Sequence, residues 1–255
     1  MAHWIRFEHA GATGIGTLHD ATITVHDGDM FAGATARGDT LPLSAVTVLT
    51  PCVPSKMVCL WNNYHALAAK LSLPVPAEPL YFIKASTSFL ASGQAIRAPR
   101  AYPGKVVYEG ELGIVIGRRC KEVAEAEAAN YIFGYTCVND VTAAELINKD
   151  ATFAQWTRAK NFDTFGVFGP VIATDLDPAA LTVRTLLNGK ERQNYPLSDI
   201  VFAPHRLVSL ISQDMTLLPG DVIACGTSLG VGSMKPGNSI EVVIDGIGTL
   251  TNQYE

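Results

Sequence analysis

Val107-Tyr108-Glu109-Gly110-Glu111-Leu112-Gly113-Ile114-Val115-Ile116-Gly117 is the stretch from which the rest of the chain can be read. With the residues before it, it predicts a strand over Lys105–Ile116. Side chains of a strand alternate faces, so Glu109 and Glu111 project from one side, about 7 Å apart along the chain. Gly110 and Gly113 clear space for the close approach of another backbone or a ligand. Two carboxylates on one face repel each other unless they are solvated, protonated or bridged by a cation. A hard divalent ion such as Mg²⁺ or Mn²⁺ takes oxygen ligands and resolves that conflict. A solvated strand face is the ordinary alternative, and spacing alone does not separate the two.

A third carboxylate lies in Tyr135-Thr136-Cys137-Val138-Asn139-Asp140. Asp140 closes a strand-like run at a strand-to-helix turn, from which it either points into a cleft or caps a helix over Ala143–Asn148. Downstream, Leu218-Pro-Gly-Asp221 precedes Cys225-Gly226-Thr227-Ser228-Leu229-Gly230-Val231-Gly232. A Gly-rich turn with Thr and Ser presents N–H groups and hydroxyls that can hold an anion, and an ordinary hairpin turn is the alternative. It lacks Gly-Lys-Ser or Gly-Lys-Thr and is not a P-loop. Lys84 ends the apolar run Leu80-Tyr-Phe-Ile-Lys84, and Lys160 stands in Arg158-Ala-Lys-Asn-Phe-Asp163. A lysine ending a buried strand faces a pocket more readily than one on a surface loop.

Around these segments the chain reads as β-dominated α+β. Short strands punctuated by glycine run from Trp4 to Leu49, and Thr50-Pro-Cys-Val-Pro54 bars regular structure from continuing. This predicts a small β-rich N-terminal domain over 1–52 and a second domain over 53–255. Strands are expected at Met57–Leu60, Leu80–Lys84, Tyr131–Val138, Thr182–Leu187, Val222–Cys225 and Ser239–Ile244. Helical signals fall at Tyr64–Leu71, Val123–Ala129, Ala143–Asn148 and Pro204–Ser212. Strands without regular βα alternation argue against a doubly wound parallel sheet.

Composition sets outer limits. The 255 residues carry 19 Lys and Arg against 24 Asp and Glu, a net charge of −5, with 17% charged and 48% apolar residues. A mildly acidic chain without a basic stripe is a poor nucleic-acid binder. Apolar content this high excludes disorder. No run is long and apolar enough to span a membrane, because prolines 42, 51 and 54 break the charge-free Thr40–Ser55. The five cysteines form no CxxC pair. With no basic-then-apolar leader, they point to a reduced, cytoplasmic protein. Low charge leaves an apolar surface, which hints at an oligomer.

In this order the motifs resemble the fumarylacetoacetate hydrolase superfamily, over roughly Val58 to Asn252. Tyr-Glu-Gly-Glu-Leu-Gly-Ile-Val-Ile-Gly is similar to its metal-binding strand, and Gly134-Tyr-Thr-Cys-Val-Asn-Asp140-Val-Thr to its third-ligand motif. Lys160-Asn-Phe-Asp-Thr-Phe165 with Gly169-Pro170 follows, then Asn188-Gly189 with Arg192-Gln193. Pro-Gly-Asp-Val-Ile with Gly226-Thr227, and Gly246-x-Gly-x-Leu-x-Asn252, complete the series. The resemblance implies a mixed β-roll, a homodimer, and Mg²⁺ or Mn²⁺ bound by Glu109, Glu111 and Asp140. In the family that ion grips the 2-oxo or enolate end of a small acid. Lys84, Lys160, Gly226 and Thr227, with Tyr64, match positions lining the site.

The departures bear on the reaction. Acylpyruvate hydrolases of the family carry Asn-Tyr-x-x-His-x-x-Glu in a lid, whose His–Glu pair activates water. Here Asn63-Tyr64-His65-Ala66-Leu67-Ala68-Ala69-Lys70 puts Leu67 and Lys70 at those positions. Leucine takes no proton, and lysine does not polarise an imidazole as a carboxylate does. His65 lies two residues earlier, about 200° round a helix from Leu67. Ala144 and Ile147 stand where the family tends to carry an Arg and a Gln that contact the substrate carboxylate. The metal platform is present and the water-activating pair is not. This favours keto–enol isomerisation or decarboxylation of 2-oxo (di)carboxylic acids of aromatic catabolism, with Lys160 or His65 moving the proton. C–C hydrolysis of diketo acids is the alternative, and a binding protein with a vestigial pocket is a third reading.

Overall fold

The computed structural model describes residues 1–255. Its largest sheet begins with the hairpin strands Thr35–Pro42, Thr22–Asp27, Ala12–His19 and His3–His9. It continues without a break through Gly166–Ala173, Ile132–Asp140, Gly110–Ile116, Val222–Ala224, Met57–Trp61 and the edge strand Leu80–Lys84. The join is short: His3 pairs with Ala173 and Trp4 with Ile172. A second sheet runs Lys190–Pro196, Thr182–Leu187, Ser239–Ile244, Gly248–Tyr254 and Ala95–Ile96. Thr142–Ala143, Val106–Tyr108 and Gly232–Ser233 form a small third one.

Burial follows the sequence patterns. Gly110–Ile116 is buried at every residue and therefore carries no alternation, as expected of a strand covered on both faces. Ser239–Ile244 alternates strictly and buries one face. Two hydrophobic clusters flank the large sheet. Leu112, Ile114 and Ile116 enter the larger one; Val115 enters the smaller, with Met57, Cys59, Val138 and Phe168. Glu111 shares the parity of Val115, so it lies on the face of the smaller core.

The differences from expectation are local. The strand foreseen over Lys105–Ile116 breaks at Glu109 into Val106–Tyr108 and Gly110–Ile116, which belong to different sheets. Gly110 is required at the break because a Cβ there would collide with Thr185 Oγ1. The helix foreseen over Ala143–Asn148 shrinks to a 3₁₀ turn at Ala144–Leu146. Its backbone is engaged elsewhere: Ala144 N–H donates to Lys105 O, and Ile147 O accepts from Gln155 N–H. Val123–Ala129 likewise becomes the 3₁₀ segment Glu125–Tyr131, packed on the helix Pro204–Asp214. Gly166–Ala173 and the short helix Trp156–Lys160 lay outside the sequence signals. Pro170 argues against a ladder, and the pairing with Ile132–Asp140 slips register beside it, between Tyr135 and Cys137. All five cysteines are free and buried, and no helix is long and apolar enough to cross a membrane.

Candidate active site

The strand break turns Glu109 toward Glu111 and Asp140. Asn139 Oδ1 accepts the Glu109 N–H at 3.0 Å, and Asp140 N–H donates to Glu109 O at 2.9 Å. The two motifs, far apart in sequence, thus share one fixed corner. One carboxylate oxygen from each of Glu109, Glu111 and Asp140 lies within 4.8 Å of the others. Asp140 ends its strand and caps no helix; Ala143 is the residue that precedes the 3₁₀ turn, with no side-chain cap.

Each carboxylate has one oxygen held by a protein donor. Lys160 Nζ donates to Glu109 Oε2 at 2.9 Å and to Asp140 Oδ2 at 2.7 Å. Gly226 N–H donates to Glu111 Oε2 at 2.8 Å. Of the remaining oxygens, Glu109 Oε1 accepts from Thr142 Oγ1, while Glu111 Oε1 and Asp140 Oδ1 are buried without a hydrogen bond. Asp140 Oδ1 lies 2.7 Å from Lys84 Nζ, whose own donors serve the carbonyls of Val141, Lys160 and Phe165. Three converging carboxylates, with Glu111 Oε1 buried and unpartnered and Asp140 Oδ1 facing only the Lys84 ammonium, are a donor set that fits a hard divalent cation.

Burial raises the Glu111 carboxyl well above the ordinary range, and repulsion from Asp140 and Glu109 adds to it. Burial also raises Glu109, against the pull of Lys160. Burial pushes Asp140 upward too, but Lys160 and Lys84 outweigh it and leave this carboxyl below its usual value. Desolvation would lower Lys160, yet Asp140 and Glu109 more than offset it and keep the ammonium charged. Cys59 is buried on the same face with its thiol pushed well up by desolvation, so it is no nucleophile.

The Gly226 turn is held from the second sheet. Gln193 Oε1 accepts the Gly110 N–H at 3.0 Å, and Gln193 Nε2 donates to Thr227 Oγ1 at 2.8 Å. Thr227 Oγ1 donates to Gly110 O at 3.0 Å, and Tyr195 donates to the same carbonyl. Gly226 has φ +89°, a left-handed conformation that favours glycine. Sequence reasoning quoted Gln193 and Thr142 inside motifs but gave neither a role.

Tyr64 belongs to the larger core, and His65 follows it at the start of a helix. Tyr64 is fully buried, edge-on to Tyr195 at 4.9 Å between ring centroids. Asn63 ties it in, donating to Cys225 O and accepting from Phe202 N–H. His65 opens the helix His65–Leu71; it is exposed and makes no side-chain hydrogen bond. Leu67 packs against the larger core and Lys70 is exposed, so no acid–base pair stands on this helix.

The family model described as fumarylacetoacetate (FAA) hydrolase C-terminal matches residues 56–255. The chain belongs to the fumarylacetoacetate hydrolase family. A second family model, Rv2993c-like N-terminal, matches residues 2–51. A solved 2-hydroxyhepta-2,4-diene-1,7-dioate isomerase from Mycobacterium marinum is similar at 37% identity and TM-score 0.91, covering 100% of this chain and 98% of its own. A 5-carboxymethyl-2-hydroxymuconate delta-isomerase from Mycobacterium smegmatis is similar at 38% identity and TM-score 0.91, covering 99% and 98%. Oxaloacetate tautomerase YisK of Bacillus subtilis is 35% identical over 213 residues, 78% of this chain and 70% of its own length. The strand-dominated fold is that of the family, and its members include isomerases, tautomerases and hydrolases.

Proposed function

We propose that this family member is a divalent-metal-dependent enzyme that interconverts the keto and enol forms of a small 2-oxo acid or decarboxylates it. One observation carries this reading: three buried carboxylates converge, one with an orphaned oxygen, beside a charged lysine and with no water-activating pair. Glu109, Glu111 and Asp140 would hold Mg²⁺ or Mn²⁺, which would polarise a 2-oxo carbonyl and stabilise negative charge on it. Tautomerisation and loss of CO₂ need a proton moved but no activated water. Lys160 is the group placed to move it, because its ammonium sits inside the cluster while His65 stands exposed. Lys84 fixes Asp140, and the Gly226–Thr227 turn, with Tyr64 beside it, braces the carboxylate corner by giving its N–H to Glu111 and its hydroxyl to Gly110 O.

We read the enzyme as a cytoplasmic homodimer. Five free thiols suit a reducing compartment, and the exposed Val53 and Phe153 suit a covered face. The test of the reaction is turnover of enol oxaloacetate with Mg²⁺ or Mn²⁺ and after chelation. Metal-dependent loss of enol absorbance, or CO₂ release, is expected; its absence with both ions sinks the reading. Cleavage of an acylpyruvate under the same conditions would favour the hydrolase instead.

A further inference from the structure

We infer that the substrate carries a single carboxylate and an uncharged, apolar tail that lies along an aromatic wall running from Lys84 to the sheet edge. The inference rests on the 2-oxo acid reading above and adds the chemistry of the distal end. Its basis is strand register. Met57–Trp61 and Leu80–Lys84 pair with Met57 opposite Lys84, Cys59 opposite Phe82 and Trp61 opposite Leu80. Directly opposed residues share a face, as do alternate residues along each strand. Lys84 is buried against Asp140, so Cys59, Phe82, Trp61 and Leu80 continue the face on which the carboxylates sit.

Along this face burial falls steadily. Lys84 is 0% exposed, Phe82 is half-buried and Leu80 is 45% exposed. Trp156 closes over the strip, stacked on Phe82 at 5.4 Å and 14° and tilted against Trp61 at 5.3 Å. Lys160 Nζ lies 5.0 Å from the centre of the Phe82 ring. A group bound at the ammonium thus meets aromatic surface next.

Charge balance points the same way. Three carboxylates against two ammonium groups leave one net negative charge, and a divalent cation turns it into one net positive. That charge matches one substrate carboxylate and leaves nothing for a second. Arg158, the cation nearest in sequence, is exposed and lines a separate cavity with Lys149, Tyr102 and Phe162. Burying a second carboxylate without a partner would be costly, whereas aryl or alkyl surface gains from leaving water.

The test compares phenylpyruvate with oxaloacetate on the full-length, Mn²⁺-loaded protein, by enol ketonisation and by tryptophan fluorescence on binding. A preference for phenylpyruvate of roughly tenfold or more is expected in kcat/KM and in Kd. Leu80→Arg, at the exposed end, should narrow that ratio by supplying the missing cation. Trp156→Ala should lower phenylpyruvate binding, and Trp156→Phe should restore it. Equal or reversed preference, or a ratio unmoved by Leu80→Arg, overturns the inference. If neither acid reacts, the reaction reading has failed, and the fluorescence comparison still decides the tail.

Discussion

Asp140 is gripped by two ammonium groups, whereas Glu111 is held by one backbone N–H, and the two respond oppositely to protons. Glu111 is raised by burial, so its contribution to stability is present at low pH and is lost as pH climbs through the raised value. Asp140 is depressed on balance, so its contribution is present above the ordinary Asp value and is lost as pH falls through the depressed one. Glu111→Gln keeps the shape and removes the charge. The metal-free variant should therefore melt higher than the wild type at pH 8, with a flatter decline in Tm from pH 6. It should also lose most of the Mn²⁺-induced rise in Tm. Asp140→Asn should instead lower the metal-free Tm, leaving two buried ammonium groups underpaired at a cost of about 3–5 kcal/mol, and should likewise lose the Mn²⁺-induced rise. Thermal melts of both variants with and without Mn²⁺ check the pair; a Glu111→Gln protein still stabilised like wild type would remove Glu111 from the ligand set.

At the scale of elements, the site is built where a strand fails to continue. Alternation and Glu-Gly-Glu made the carboxylates legible, and Asp140 followed from its motif. The break at Glu109 was not legible, because it is enforced by Thr185 and Gln193 on another sheet, across 76 and 84 positions of chain. Local periodicity carries no information about such partners. Gln193 is the clearest case: one buried amide holds Gly110, between the two glutamates, and Thr227, next to the N–H that holds Glu111. Outer partners of this kind typically govern 10–100-fold of metal affinity. Gln193→Ala should weaken Mn²⁺ binding by roughly tenfold in calorimetry while leaving circular dichroism unchanged. Affinity equal to wild type would make the clamp purely structural.

On the whole-molecule scale, the prolines between Thr50 and Pro54 mark the expected division into 1–52 and 53–255. Domain independence is a separate property, and it depends on what crosses that boundary. The smaller core joins Met30 and Cys52 to Met57, Val115 and Phe168, while Trp4 pairs with Ile172 in the continuous sheet. Cys52 adds a polar tie, its thiol donating to Gly220 O, and just past the boundary the fully buried Asp221 anchors the start of the second segment, accepting from Ser55 N–H, Ser55 Oγ, Lys56 N–H and Leu218 N–H and pairing with Lys56 at 2.5 Å. The linker is thereby fastened to the turn that leads into Val222–Ala224 and on to Gly226, so loosening one segment exposes apolar surface of the other. Units that share a core and a continuous sheet unfold together. The full chain should show one calorimetric transition whose calorimetric and van't Hoff enthalpies agree. Asp221→Asn should lower that single Tm without splitting it, since it loosens the end of the linker from which the shared core continues. Two resolved transitions in the wild type would mean that the N-terminal strands are a separate domain resting on the second, and that the shared core contributes little to holding them.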